Sequence, residues 1–208
     1  YLLGCNVGEV LTMLLAAAAG LPLPLVPIQI LWMNLVTDGL PAVALSVDPG
    51  DPDIMERGPR SPQEGVFARG LHLRIALQGL LIGLSTLAVF ALELVLGSGM
   101  LKSAQTMAFT TLVMSQLFYV FQCRSEQHRV WELGLLGNPW LVGAVLVSTL
   151  MQLGVLYLPI LQPILNTVPL NSGQWAVVLF FSGICAVSGD IVAEVHGKLK
   201  ARLAVIRV

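Results

Sequence analysis

The feature that most constrains this chain is a stretch from Leu133 to Gly189 that contains no charged side chain. A helix needs about 20 largely apolar residues to cross a bilayer, so this stretch is too long for one crossing. Residues that break helices cluster near its middle, namely Pro159, Pro163, Asn166, Pro169 and Asn171. We therefore predict two membrane helices here, at about residues 139–158 and 173–194.

The composition extends this interpretation to the whole chain. Of its 208 residues, 56% are hydrophobic and 11% are charged, whereas soluble domains carry roughly 25% charged residues. The same length criterion predicts four earlier helices, at about 1–19, 28–46, 71–96 and 104–123. We expect an all-α fold, a polytopic membrane bundle of six transmembrane helices within one domain, 1–208. No signal peptide precedes the first helix, and the chain reads as a fragment that starts part-way along it.

The basic residues predict how the bundle is oriented. Cytoplasmic loops are enriched in lysine and arginine, and here only Lys102 lies on one side of the predicted membrane. The other side carries Arg57, Arg60, Arg69, Arg74, Arg124, Arg129, Lys198, Lys200, Arg202 and Arg207. The polar loops and the C-terminus are therefore expected in the cytoplasm. Nothing in the charge pattern indicates nucleic-acid binding; the lipid bilayer is the expected surrounding.

Two of the predicted helices carry polar side chains that a membrane segment tolerates poorly. Asn6 and Glu9 share one face of the first helix, because they are three residues apart. Asn34, Thr37 and Asp38 share one face of the second. A short turn makes these helices antiparallel neighbours, and both clusters lie three to four helical turns from it. We therefore expect the two polar faces to meet at the same depth.

Gly39 and Pro41 follow these residues and predict that the second helix is locally unwound. Unwinding frees backbone carbonyls, which can act as ligands beside carboxylate, amide and hydroxyl oxygens. Facing carboxylates repel one another unless a proton or a cation lies between them. Ca²⁺ takes six to eight oxygen ligands, so the pattern indicates a cation site. Interhelical hydrogen bonding alone would explain an isolated asparagine or threonine.

Several stretches resemble a known family. The chain reads CNVGEVL at 5–11, QILWMNLVTDGLPAVAL at 29–45 and DIMERGPRSP at 53–62. These resemble type II P-type ATPases of the sarco/endoplasmic-reticulum calcium-pump kind, including bacterial relatives. The resemblance covers essentially the whole chain, as the fifth to tenth membrane helices. Gly4 and Gly8 also have the spacing of closely packed helices.

The resemblance implies a role for each polar residue. Asn6, Glu9 and Thr37 resemble ligands of the family's first calcium site, Asn34 resembles a ligand of the second, and Asp38 is shared. Gln116 stands where the family's eighth helix normally has a glutamate, which keeps an oxygen and removes a charge. We therefore expect one tightly bound Ca²⁺ per cycle, with Glu9 acting mostly as a proton carrier.

The resemblance also implies what lies outside this chain. The parent pump has four earlier helices and cytoplasmic domains that bind ATP and Mg²⁺ and carry the phosphorylated aspartate. It is expected to export Ca²⁺ across a bacterial plasma membrane with proton counter-transport. The loop at 48–70 is expected to contact the phosphorylation domain. A pump for Mn²⁺ or Na⁺, a secondary cation/proton antiporter and a helical scaffold remain alternatives.

Overall fold

A computed structural model describes residues 1–56, 58, 65, 70–97, 99–125 and 128–187. Within these ranges all regular structure is helical, which confirms the all-α class. The longer α-helices are α1 (Leu2–Ala18), α4 (Leu71–Leu96), α5 (Leu101–Gln122), α7 (Pro139–Tyr157) and α9 (Ser172–Val187). The short ones are α2 (Pro27–Trp32), α3 (Gly39–Leu45), α6 (Val130–Leu133) and α8 (Gln162–Leu165).

Three helical stretches in the described part of the chain are long and apolar enough to cross a membrane. They are Pro27–Leu45, which joins α2 to α3, then Leu71–Leu96 and Pro139–Tyr157. Leu2–Ala18 and Ser172–Val187 are apolar but shorter. The end of the predicted helix at 173–194, the basic tail and about half of the predicted loop at 48–70 lie outside the described residues. The count of six crossings stays a prediction.

The fourth predicted helix, α5, begins at Leu101, slightly earlier than expected, and occupies the centre of the bundle. It packs against α4 and also contacts α1, α3 and α7. Most of its side chains are buried, including Thr106, Thr110 and Gln116. Because this helix faces other helices more than lipid, its sequence carries polar groups that a lipid-facing helix would avoid.

Small residues bring α1 and α4 into close contact. A Cβ atom added at Gly8 would lie 2.8 Å from Ile82 Cγ2, and one at Gly79 would overlap Val7 Cγ1. At Gly83 an added Cβ would lie 3.2 Å from the carbonyl oxygen of Gly8. The two backbones approach at these positions, as the small-residue spacing on α1 predicts. This contact fixes the depth of Glu9 relative to the rest of the bundle.

The predicted interruption of the second helix has a different form from the expected one. A π-helical turn, Met33–Thr37, separates α2 from α3, and the N–H of Asp38 donates to the carbonyl of Met33 at 2.9 Å. Gly39 and Pro41 are not unwound; they lie in the first turn of α3. Proline is tolerated near a helix start, so the distortion is displaced into the preceding turn.

Candidate ion-binding site

Glu9 is the point at which three helices converge. Its side chain on α1 is 5% exposed. One carboxylate oxygen, Oε2, accepts a hydrogen bond from Asn34 Nδ2 at 2.9 Å, and Oε1 accepts one from Gln116 Nε2 at 3.0 Å. Asn34 from the second predicted helix and Gln116 from the fourth therefore meet Glu9 of the first at this carboxylate.

Asp38 lies directly after the π-helical turn and is fully buried. Its Oδ1 accepts a hydrogen bond from the hydroxyl of Tyr1 at 3.0 Å. Its Oδ2 is buried without a hydrogen-bond partner. Sequence reasoning missed Tyr1, although the tyrosine precedes Glu9 by about two helical turns and so lies near the same face of the first helix.

Glu9 and Asp38 are the two buried carboxyl groups of this site. The ion pairs seen among the described residues involve other groups, Arg124 with Asp48 and His128 with Asp53 and Glu132. The groups that reach Glu9 and Asp38 are neutral: they are the amides and phenol named above and the thiol of Cys5 beside Asp38. The described part of the site therefore holds two buried carboxyl groups and no cationic side chain that pairs with them.

The remaining predicted residues occupy different positions relative to these carboxylates. Thr37 is fully buried, and its hydroxyl donates to the carbonyl of Met33 at 3.3 Å. Gln116 is fully buried, and its Oε1 has no hydrogen-bond partner. Asn34 is exposed despite its contact with Glu9. Asn6 is also exposed, and its side chain makes no hydrogen bond within the described ranges.

This arrangement suits a bound cation. Asp38 Oδ2 and Gln116 Oε1 are buried acceptors without donors, and a buried polar atom left in that state is costly. A hard cation would supply the missing partner, since Ca²⁺ prefers carboxylate and amide oxygens. A proton on Asp38 would instead remove the charge of this buried carboxyl group. The buried residues therefore offer oxygen atoms of the kind that hard cations prefer.

A second cluster of titratable groups lies outside the membrane-spanning segments. His128 Nε2 lies 2.9 Å from Asp53 Oδ1, and its Nδ1 lies 3.5 Å from Glu132 Oε2. The hydrogen bond with Asp53 raises the pKa of His128 above its usual value. Nearby, Arg124 pairs with Asp48 at 2.9 Å. These contacts join the loop after α3 to the loop after α5.

A helical membrane bundle that places two buried carboxyl groups, Glu9 and Asp38, among neutral donors is typical of membrane proteins that handle cations. The comparison with known proteins is more specific. Residues 22–194 match the family described as "Cation transporting ATPase, C-terminus". The chain belongs to this family, and it is a multi-pass membrane protein.

Individual relatives agree with the family match. The chain is 52% identical over 184 residues to the calcium-transporting ATPase of Bacillus subtilis, covering 88% of this chain and 21% of the relative. It is 38% identical over 207 residues to calcium-transporting ATPase 1 of Bacillus cereus, covering 92% and 23%. It is 35% identical over 175 residues to the probable cation-transporting ATPase F of Mycobacterium bovis, covering 84% and 19%. The chain thus spans about a fifth of the length of these relatives.

Proposed function

We propose that this chain is the ion-binding membrane part of an ATP-driven pump that exports Ca²⁺ from the cytoplasm and returns protons. The observation that carries the proposal is the pair of buried carboxylates, Glu9 and Asp38, held by neutral donors. The unpartnered oxygens of Asp38 and Gln116 support the same reading. Two relatives named as calcium-transporting ATPases support Ca²⁺ as the cargo.

In this proposal the six polar residues have distinct roles. Asp38 is the central carboxylate ligand, and Asn34 joins it in the ion site. Glu9 carries a proton in the return step. The remaining oxygens that complete the site come from Asn6, Thr37 and Gln116. Asn6 and Asn34 are exposed, so their ligand roles require side chains from outside this chain to close the site.

The rest of the pump supplies the energy. Earlier membrane helices and cytoplasmic domains that bind ATP and Mg²⁺ are the expected partners, because this chain spans only a fifth of its relatives. The loop at 48–70 contacts the phosphorylation domain. The basic residues orient the loops and the C-terminus toward the cytoplasm of a bacterial cell, with the pump in the plasma membrane.

The test is an Asp38→Asn substitution in the full-length pump. We expect Ca²⁺-stimulated ATPase activity and ⁴⁵Ca²⁺ transport to be lost, because the shared carboxylate loses its charge. Glu93→Gln is the matched control, since Glu93 is a buried carboxylate that bonds Ser103 and Gln174 outside the site. Near-normal Ca²⁺ dependence in Asp38→Asn would contradict the site. If Mn²⁺ or Na⁺ stimulated the wild-type pump and Ca²⁺ did not, that ion would replace Ca²⁺ as the proposed cargo.

A further inference from the structure

Pro41 removes the normal helical partner of a buried carbonyl beside the ion site. In an α-helix the carbonyl of residue 37 accepts from the N–H of residue 41. Proline has no N–H, so the carbonyl of Thr37 lacks this bond. The N–H of Ala42 donates to the carbonyl of Asp38 at 3.0 Å. Buried carbonyls in proteins are nearly always paired, so the carbonyl of Thr37 needs a donor from elsewhere.

That donor is Ser148 on α7. Its hydroxyl donates to the carbonyl of Thr37 at 3.3 Å, and both residues are fully buried. A second contact comes from Asn138, which caps the start of this helix: its Nδ2 donates to the carbonyl of Ala44 at 3.1 Å. Helix α7 therefore holds the interrupted helix at the π-helical turn and again near the end of α3.

The contact from Ser148 acts on the peptide group that leads into Asp38. The carbonyl of Thr37 and the N–H of Asp38 belong to one planar unit. Ser148 holds the oxygen of this unit, and the carbonyl of Met33 holds its N–H at 2.9 Å. With both ends of the plane fixed, the backbone that carries the Asp38 carboxylate has a defined direction.

We propose that Ser148 is a positioning residue for the ion site, acting through the Thr37–Asp38 peptide group without touching the ion. This inference rests on the proposed function and adds α7 to the elements that shape the site. The serine hydroxyl donates the hydrogen bond to the Thr37 carbonyl that the backbone N–H of residue 41 would donate if that residue were not proline. Without it the carbonyl of Thr37 has no donor from Ser148, and the contact with Met33 alone holds the peptide group that leads into Asp38.

The first measurement is the Ca²⁺ dependence of ATPase activity in the full-length pump. For Ser148→Ala we expect the half-maximal Ca²⁺ concentration to rise about fivefold, the size expected for one hydrogen bond. The maximal rate should change little, because the ion still binds when its concentration is high. Ser148→Thr keeps the hydroxyl and should restore most of the wild-type dependence. If Ser148→Ala does not fold, Ser148→Cys, a weaker donor, should shift the dependence in the same direction.

Thr149→Val is the matched control on the same helix. The Thr149 hydroxyl donates to the carbonyl of Val145 within α7, so its loss should leave the Ca²⁺ dependence unchanged. A double-mutant cycle with Pro41→Ala tests the replacement directly. Alanine supplies an N–H at position 41, so Ser148→Ala should add little in that background. Equal effects of Ser148→Ala in both backgrounds would overturn the proposal.

The outcomes separate this inference from the function on which it rests. A wild-type pump that no cation stimulates would overturn the proposed function. A Ca²⁺-stimulated pump in which Ser148→Ala keeps the wild-type Ca²⁺ dependence would overturn only the positioning role. A fall in maximal rate that Thr149→Val shares would indicate a general effect on α7 and would also overturn it.

Discussion

A Gln116→Glu substitution would place a second carboxylate against Glu9. In the wild type the amide nitrogen of Gln116 donates a hydrogen bond to Glu9 Oε1 at 3.0 Å. In the variant a carboxylate oxygen would replace this nitrogen. Two unit negative charges about 3 Å apart repel by about 5 kcal/mol at an effective dielectric constant of about 20. The variant must therefore take up either a proton or an additional cation in this position.

The assay is equilibrium binding of ⁴⁵Ca²⁺ to the purified full-length pump, counted per phosphorylation site. We expect one tightly bound Ca²⁺ in the wild type, because Gln116 adds no charge, and two in Gln116→Glu. Gln105→Glu is the control on the same helix, since the Gln105 amide donates to the carbonyl of Leu23 and not to Glu9. It should leave the stoichiometry at the wild-type value.

Two results would refute this reasoning. Two tightly bound ions in the wild type would show that the neutral amide is sufficient and that charge count does not limit the site. A Gln116→Glu variant that binds one ion, with no change in affinity between acidic and alkaline pH, would show that position 116 does not act on the ion through Glu9.

Three further predictions concern packing, topology and pH. Gly79→Ala should lower the free energy of unfolding by about 1–3 kcal/mol through overpacking, whereas Gly143→Ala, with no atom within 4 Å of the added Cβ, should not; thermal unfolding in detergent checks both. A membrane-impermeant thiol reagent applied outside should label a cysteine introduced near Gly99 and miss one near Arg60; the reverse pattern would contradict the topology. His128→Gln should lower the free energy of unfolding of the pump below about pH 6.5, where the histidine is protonated. This difference from wild type should vanish as the pH rises through the raised pKa of His128. A difference in free energy of unfolding that does not depend on pH would contradict the ion-pair role.

The helix positions were largely predictable because the bilayer imposes one length on every crossing. The fifth predicted helix, at 139–158, is observed at Pro139–Tyr157, and the third, at 71–96, is observed at Leu71–Leu96. The central position of α5 was not predictable in this way. Its polar side chains face neighbouring helices. Hydropathy indicates only whether a segment is compatible with lipid, so it does not identify which helix lies at the centre.

The convergence on Glu9 was partly predictable, since helical spacing gives a face and the short turn gives a depth. Asn34 reaches Glu9 as that reasoning expects. The form of the broken helix was not predictable. Glycine and proline mark an interruption, but they do not determine whether the backbone unwinds or widens into a π-helical turn. The hydrogen bond from Ser148 depends on which face of α7 packs against the interrupted helix. No local pattern in the sequence indicates that face.

The donors around the two carboxylates share a property that bears on function. Asn34, Gln116 and Tyr1 are all neutral, so they orient Glu9 and Asp38 without cancelling their charge. A lysine or arginine at any of these positions would form a stable ion pair and compete with a transported cation for the same oxygens. With neutral donors, the charge of Glu9 and Asp38 is left to be balanced by a cation or a proton that enters the site. The proposed function, in which the site binds a cation, releases it and then accepts protons, requires this kind of support, because a resident positive charge would occupy the carboxylates throughout the cycle.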